Sequence, residues 1–562
     1  MKNTFLLSLL ILLVGIGCNS DKDAADTVIL NGKIYTVDDQ NTVAEAVALD
    51  DGKIRAVGAR DEVEKYIGNS TEVIDIEGGI VYPGFIEGHA HIMGIGANKL
   101  NVDLMETKSY SELIQAVKER ASNTPKGEWI LGRGWHQDKW VEQPENMIGG
   151  FPVHDRLSEA VPDHPVFLNH ASGHAALANA KAMELAGITR DTEDPDGGEI
   201  FKTVTGRPTG IFNETAEGLI GKVIPKSSKE RLIRTLNMAM DECLQNGITS
   251  LHQAGSPSRH IDLFKEFRNG DSLRVRLYVM LSGRDEALLD DYFEKGPEVD
   301  SAHWLTMRSV KLYSDGALGS RGAWLLEEYS DAPGEFGHNV TPMEEIEEKT
   351  MRAAEAGFQV CTHAIGDRGN REVLDIYEKA INEYNIKDHR FRIEHAQHVD
   401  AEDIPRFAEL NVIPSMQAIH MSSDRPWAID RLGRERIEEG AYVWQKFLQQ
   451  GSRVVNGTDA PVEPVDPIAC FYASVTRKTL KGTPEGGYEP NQKMTREQAL
   501  RSYTIDAAYG AFQEDVKGSI EIGKLADLTI LDRDLMEIPE EEILDTKVLM
   551  TIVGGKIQYT AR

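Results

Sequence analysis

The sequence predicts an α/β chain: a TIM (β/α)8 barrel, a small β-sandwich domain built from both termini, and a subdomain inserted after the first barrel strand. Three observations carry that reading. Eight short apolar runs recur through the middle of the chain, each followed by polar residues at its C-terminal end. Helical patterns such as PMEEIEEKTMRAAEAG (342–357) and NREVLDIYEKAINEYN (370–385) lie between them. Repeated β-then-α units point to a parallel sheet, and eight of them fit a barrel. Both ends of the chain read instead as hairpins. A doubly wound open sheet is the structural alternative, but no G-x-G-x-x-G follows a strand at the start.

The first element is a leader. Residues 1–18, MKNTFLLSLLILLVGIGC, place Lys2 before an apolar run from Phe5 to Ile16, then Gly17 and Cys18. The run is short for a bilayer span and sits where a secretory signal sits. It resembles a bacterial lipoprotein signal ending at a lipidated cysteine, with Gly15 where that pattern usually has a larger aliphatic residue. On this reading Cys18 becomes the acylated N-terminus and the polar NSDKDAAD is a tether. The protein is then exported to the cell envelope, on the periplasmic or surface side, and touches the membrane only through its lipid. A cleaved signal without lipid is the alternative.

Residues 26–58 alternate short strands with Asn-Gly and Asp-Gly pairs, which are hairpin signals. Residues 518–534 and 548–559 look alike in style. Residues 19–82 and 516–562 are therefore expected to form the small β domain, with the barrel over 83–515. The eight strand candidates are 81–91, 247–255, 274–283, 308–316, 357–367, 391–398, 411–417 and 453–461. Roughly 150 residues separate the first two, too many for a loop. They predict an insert over about 96–246, above the barrel mouth where substrate would sit.

Composition fits a folded chain. Of 562 residues, 41% are hydrophobic and 27% charged, which excludes a disordered protein. The net charge of −30 argues against nucleic acid or anionic membranes as partners. Without Cys18, only Cys243, Cys361 and Cys470 remain; they are far apart and read as buried thiols.

The chemistry concentrates at the strand ends. In PGFIEGHAHIMG (83–94), His89 and His91 stand one residue apart at the end of the first barrel strand. Residues i and i+2 of a strand share a face, so both imidazoles can point into the barrel. Gly84 and Gly88 would let the entering backbone pack closely, and Gly94 would let it turn towards the insert. An H-x-H pair alone is weak evidence. His363, His395 and Asp459 stand at the ends of the fifth, sixth and eighth strands. All strand C-termini of a barrel converge on one face, so these nitrogen and oxygen ligands suit zinc or a similar divalent ion. Taken singly, each has an ordinary reading. His363 can be a buried, satisfied histidine, Glu394 can pair with a surface arginine, and Asp459 can cap the turn into Pro461. Lys311 ends the apolar part of the fourth strand. It can pair with Asp315, or, as a carbamate, become an anionic ligand bridging two metals.

The set GHAH, VKLYSDGALGSR, THAIGD, IEHAQ and GTDAPV resembles the amidohydrolase superfamily, and within it the subgroup that includes N-substituted formamide deformylase (the family 3 type). The likeness covers nearly the whole mature chain, including GRGW, SGHAALAN and GKLADL. It implies that His89, His91, His363, His395 and Asp459 are metal-site residues, that Lys311 is a carboxylated bridge, and that one or two ions, most simply zinc, are bound. The chain departs from the pattern at Gln253, His136 and Ser172, where aspartate is common.

The resemblance implies a metal-dependent amidohydrolase acting on a carbon–nitrogen, non-peptide bond of a small amide or N-formyl or N-acyl amine. A divalent ion lowers the pKa of bound water from ~15.7 towards ~7. Asp459 would orient that water and pass its proton to the leaving amine. His174, in the insert, is a second catalytic candidate. Trp135, His136, Gln253, Gln417 and His420 are candidates for binding the small-molecule substrate. Two rival readings stay open: a lactone or ester hydrolase using the same site, and a catalytically inactive lipoprotein scaffold or solute receptor. A homodimer is compatible with the sequence.

Overall fold

The computed structural model describes residues 23–171, 173, 175–195 and 197–561. The leader with Cys18, and His174 with Ser172 beside it, lie outside the described residues. Among the described residues, no helix is long and apolar enough to cross a membrane.

Eight parallel strands form the barrel: β1 Phe85–Ala90, β2 Ile248–Ser256, β3 Arg276–Ser282, β4 Leu305–Tyr313, β5 Gln359–Ala364, β6 Arg392–His395, β7 Ile413–Met416 and β8 Val455–Asn456. They pair in that order around the sheet. Nearly every strand residue is buried, as expected when helices cover the outer face and the interior is filled. The seam between β8 and β1 closes just past the strand ends. There the Asp459 N–H donates to the His89 carbonyl at 2.8 Å, and the His91 N–H donates to the Ala460 carbonyl at 2.7 Å. Gly88 makes this seam possible, because a Cβ there would lie 2.4 Å from the Asn456 carbonyl oxygen.

The apolar run 81–91 is not one strand. It divides at Gly84: Ile80–Pro83 pairs with Leu528–Leu531, for example Val81 with Ile530, and only Phe85–Ala90 enters the barrel. Ile80–Pro83 thus belongs to a six-stranded sheet that joins both termini, beside a four-stranded sheet of N-terminal strands. Ile29, Val47, Val81, Leu528 and Ile552 share one core between them.

The segment after β1 begins with helix α1, Ile92–Leu100. Gly94 lies inside this helix and does not turn the chain outward; a Cβ there would lie 2.8 Å from Pro461 Cδ, so it serves close packing. A separate six-stranded sheet follows, in which Ile130–Trp135 pairs in parallel with Val166–His170 and with Val102–Asp103. It has a core of its own around Leu113, Trp135, Leu168 and Ile211. Cys243, Cys361 and Cys470 are buried free thiols.

Candidate metal centre

His89 is the penultimate residue of β1, and His91 lies one residue past the strand, as the N-cap of α1. The two imidazoles therefore do not meet through strand alternation. His91 has left the strand (φ −118°, ψ 87°), and the rings stand edge to face with centroids 5.7 Å apart. Asp459 lies three residues beyond the short β8, held in place by the seam. His91 Nε2 lies 3.1 Å and His89 Nε2 3.6 Å from Asp459 Oδ1. Yet Asp459 Oδ1 is buried and makes no hydrogen bond. One ligand atom from each of the three residues lies within 4.8 Å of the others. A buried carboxylate oxygen without a donor, facing two imidazole nitrogens, fits a divalent cation.

His363 and His395 complete the cluster. The His395 ring lies 5.0 Å from that of His89 and 4.5 Å from that of His363. Three of the imidazoles, His89, His363 and His395, have one nitrogen held from outside. His89 Nδ1 contacts the Glu394 carboxylate, an acceptor when ionised, so the proton sits on Nδ1 and Nε2 offers its lone pair. His395 Nδ1 donates to Gln417 Oε1 at 2.7 Å, while the Gln417 amide donates to the Ser415 carbonyl. His363 Nε2 lies 3.5 Å from the Gly316 carbonyl and 3.5 Å from Asp315 Oδ1. Outer partners of this kind fix the tautomer of metal-ligating histidines. Burial, with the charge of Lys311, lowers His89 to about 4 and His363 to about 3, and burial keeps His395 well below its usual value. These three imidazoles are therefore neutral near pH 7, as a ligand must be.

Glu394 does not meet a surface arginine. It is fully buried beside the equally buried Arg392, whose Nη2 donates to it at 3.0 Å and also to Gly88 O and Ser415 Oγ. Arg392 Nη1 donates in turn to His252 Nδ1 at 2.9 Å. Burial opposes the ionised carboxylate, but Arg392 and His89 outweigh it and hold Glu394 well below the usual carboxylate range. Asp459 is held well below it too: burial again opposes, and His91, His89 and His395 prevail.

Lys311 is 1% exposed, with Nζ 3.5 Å from His89 Nε2. It does not pair with Asp315, whose carboxylate accepts the backbone N–H groups of Trp324, Ile365 and Gly366. Among the described residues no carboxylate forms an ion pair with Lys311.

The substrate candidates divide. Gln253 is buried and accepts the Ile92 N–H at 2.6 Å, so it holds the start of α1 next to His91. Gln417 holds His395. The His420 ring lies parallel to that of His395 at 6.2 Å, and its Nε2 is buried without a partner. Trp135 does not join them: it is fully buried in the insert core, its indole N–H donating to the Leu168 carbonyl, because its strand turns that side chain inward. His136 packs on His170 in the insert, with ring centroids 4.4 Å apart. Sequence reasoning missed Glu394 as an inward-facing partner. Its alternation with Arg392 along β6 was the available signal.

Known proteins resemble this chain over most of its length. The model of the amidohydrolase family matches residues 72–559. The chain is 33% identical over 534 residues to the putative amidohydrolase YtcJ of Bacillus subtilis (strain 168), covering 94% of this chain and 98% of that one. It is 28% identical over 546 residues to N-substituted formamide deformylase of Arthrobacter pascens, covering 95% and 98%. Among solved structures, an uncharacterized metal-dependent hydrolase from Pyrococcus horikoshii OT3 matches with TM-score 0.76 at 28% identity, over 92% of this chain and 99% of that one.

Proposed function

The chain belongs to the amidohydrolase family, and from that membership we propose a metal-dependent hydrolase acting on the carbon–nitrogen, non-peptide bond of a small N-formyl or N-acyl amine. The observation that carries this reading is the convergence of His89 and His91 on the buried Asp459 Oδ1, which accepts no hydrogen bond among the described residues. The formamide deformylase likeness supports the choice of acyl group.

His89, His91, His363, His395 and Asp459 would hold one or two divalent ions, zinc being the simplest choice, with Lys311 as a carboxylated ligand. A divalent ion in such a site lowers the pKa of water from ~15.7 towards ~7 and polarises a carbonyl. The protein's part is to position and to move protons. Glu394 keeps the proton on His89 Nδ1, and Gln417 does the same at His395 Nδ1. The Asp459 carboxylate takes a proton from the attacking water and returns it to the leaving nitrogen. His420, with its open Nε2 beside His395, stands ready to donate to the substrate carbonyl.

The test is a panel of N-formyl and N-acetyl amines, cyclic amides and lactones, assayed with zinc-replete protein of measured metal content. At least one equivalent of metal and chelator-sensitive release of free amine are expected. Turnover of lactones alone, or full activity without metal, would overturn the proposal.

A further inference from the structure

Glu87 is fully buried on β1, two residues before His89. Taking a carboxyl group out of water is costly unless it finds partners. Glu394, buried to the same extent, meets Arg392. Among the described residues Glu87 forms no ion pair. Its partners are instead three donors, all within one residue of His89 or Asp459. Oε1 accepts the Thr458 N–H at 2.8 Å and the His89 N–H at 3.1 Å. The Thr458 hydroxyl donates to Oε2 at 3.1 Å.

These bonds cross the seam between β1 and β8. One carboxyl group grips the backbone of His89 on one side and the residue before Asp459 on the other. Thr458 extends the hold, because its hydroxyl oxygen accepts the Ala460 N–H at 3.2 Å. With the Asp459 N–H on the His89 carbonyl, three consecutive amides are fixed, those of Thr458, Asp459 and Ala460. Asp459 needs this, since a non-glycine residue keeps its φ of +54° only where the surroundings enforce it. Gly457 leaves the room: a Cβ there would lie 2.4 Å from Glu87 Oε1. An apolar residue could fill the volume of Glu87 but would satisfy none of these donors.

We propose that Glu87 is a positioning residue of the metal centre, a carboxyl clasp that sets where the His89 imidazole and the Asp459 carboxylate stand relative to each other. The acceptor at Oε1 does this, not the charge. A glutamine can therefore replace Glu87, its Oε1 taking both N–H groups and its amide donating to Thr458 Oγ1. Glu87 has this role only if His89 and Asp459 hold an ion, so it rests on the metal-dependent reading proposed above.

The experiment uses chelator-stripped full-length protein, wild type, E87Q, E87M and T458V, each loaded with Co2+ and with Zn2+. Thermal melts without metal report the fold, and chelator competition reports affinity. The visible absorption of bound Co2+ reports coordination geometry, which a loss of stability alone would not move. E87M keeps the size of glutamate without its acceptors. It should bind metal about 10- to 100-fold more weakly, with an altered Co2+ spectrum. T458V keeps the main-chain N–H and loses the hydroxyl, and should show a smaller change of the same kind. E87Q should match wild type in both. Wild-type affinity and spectrum in folded E87M overturn the inference and leave the metal centre standing. So does a loss in E87Q equal to that in E87M. If E87M does not fold, T458V decides, and wild-type affinity and spectrum there overturn the inference. Wild type that takes up neither Co2+ nor Zn2+ overturns the metal centre itself, and this role with it.

Discussion

His89 and Asp459, at opposite ends of the barrel in sequence, are joined twice across one seam. The Asp459 N–H donates to the His89 carbonyl at 2.8 Å, and His89 Nε2 lies 3.6 Å from Asp459 Oδ1. The backbone bond that closes the barrel is thus also the bond that sets the distance between two proposed ligands. Asp459 adopts φ +54° to do this, and His395 adopts φ +77° at the end of β6. For non-glycine residues such conformations cost about 1–3 kcal/mol each, and they persist where surrounding structure fixes them. Here the gain is that both side chains turn towards His89.

Asp459→Asn keeps the shape and the backbone seam but removes the proton acceptor. Turnover is expected to fall by roughly 10²- to 10⁴-fold with the melting temperature little changed. Steady-state kinetics alongside thermal melts check this. A variant with wild-type kcat would remove Asp459 from the proton-transfer role.

Glu394→Gln tests the outer partner of His89. The amide is isosteric, but it no longer supplies an anion to His89 Nδ1 and Arg392. Metal affinity is expected to weaken by about 10- to 100-fold, measured by competition with a chromogenic chelator. Glu394→Asp, which keeps the charge, should recover part of it. Unchanged affinity in Glu394→Gln would mean that His89 is oriented by packing alone.

Much of this was legible in the sequence, for physical reasons. Buried parallel strands are continuous apolar runs, so all eight could be marked, and the candidate ligands followed from the rule that their ends converge. What escaped was what hydropathy does not encode. The run 81–91 is apolar throughout, yet it crosses from one sheet to another at Gly84. His91 reaches the cluster from a helix cap instead of a strand face. Strict alternation would send Glu394 and His395 to opposite sides; the positive φ of His395 is a tertiary outcome that no local pattern announces.

Gln253 was expected at the substrate, yet its contact is structural. Its Oε1 accepts the Ile92 N–H, the first amide after His91. Gln253→Ala leaves that buried donor unsatisfied, at a cost of about 1–3 kcal/mol, and frees the start of α1. Metal release should accelerate and stability should fall, while KM at saturating metal stays near wild type. A large KM effect with normal metal affinity would instead return Gln253 to the substrate.

The buried histidines also set an acid limit on the metal-free protein. His89 titrates at about 4 and His363 at about 3 in the fold, and burial keeps His395 and His252 well below their usual value. All would titrate near 6.5 in the unfolded chain. The unfolded state therefore binds these protons first as pH drops, and stability is lost as pH falls from about 6.5 through about 4. Each group contributes a slope of about 1.4 kcal/mol per pH unit within that window. Thermal melts of chelator-treated protein between pH 7 and pH 4.5 should show the midpoint falling steeply. His252→Gln keeps an acceptor for Arg392 Nη1 but removes one titrating group, so its slope should be shallower by about one proton. A midpoint that is flat across this range would mean that these imidazoles titrate in the fold as they do in the unfolded chain, without a burial shift.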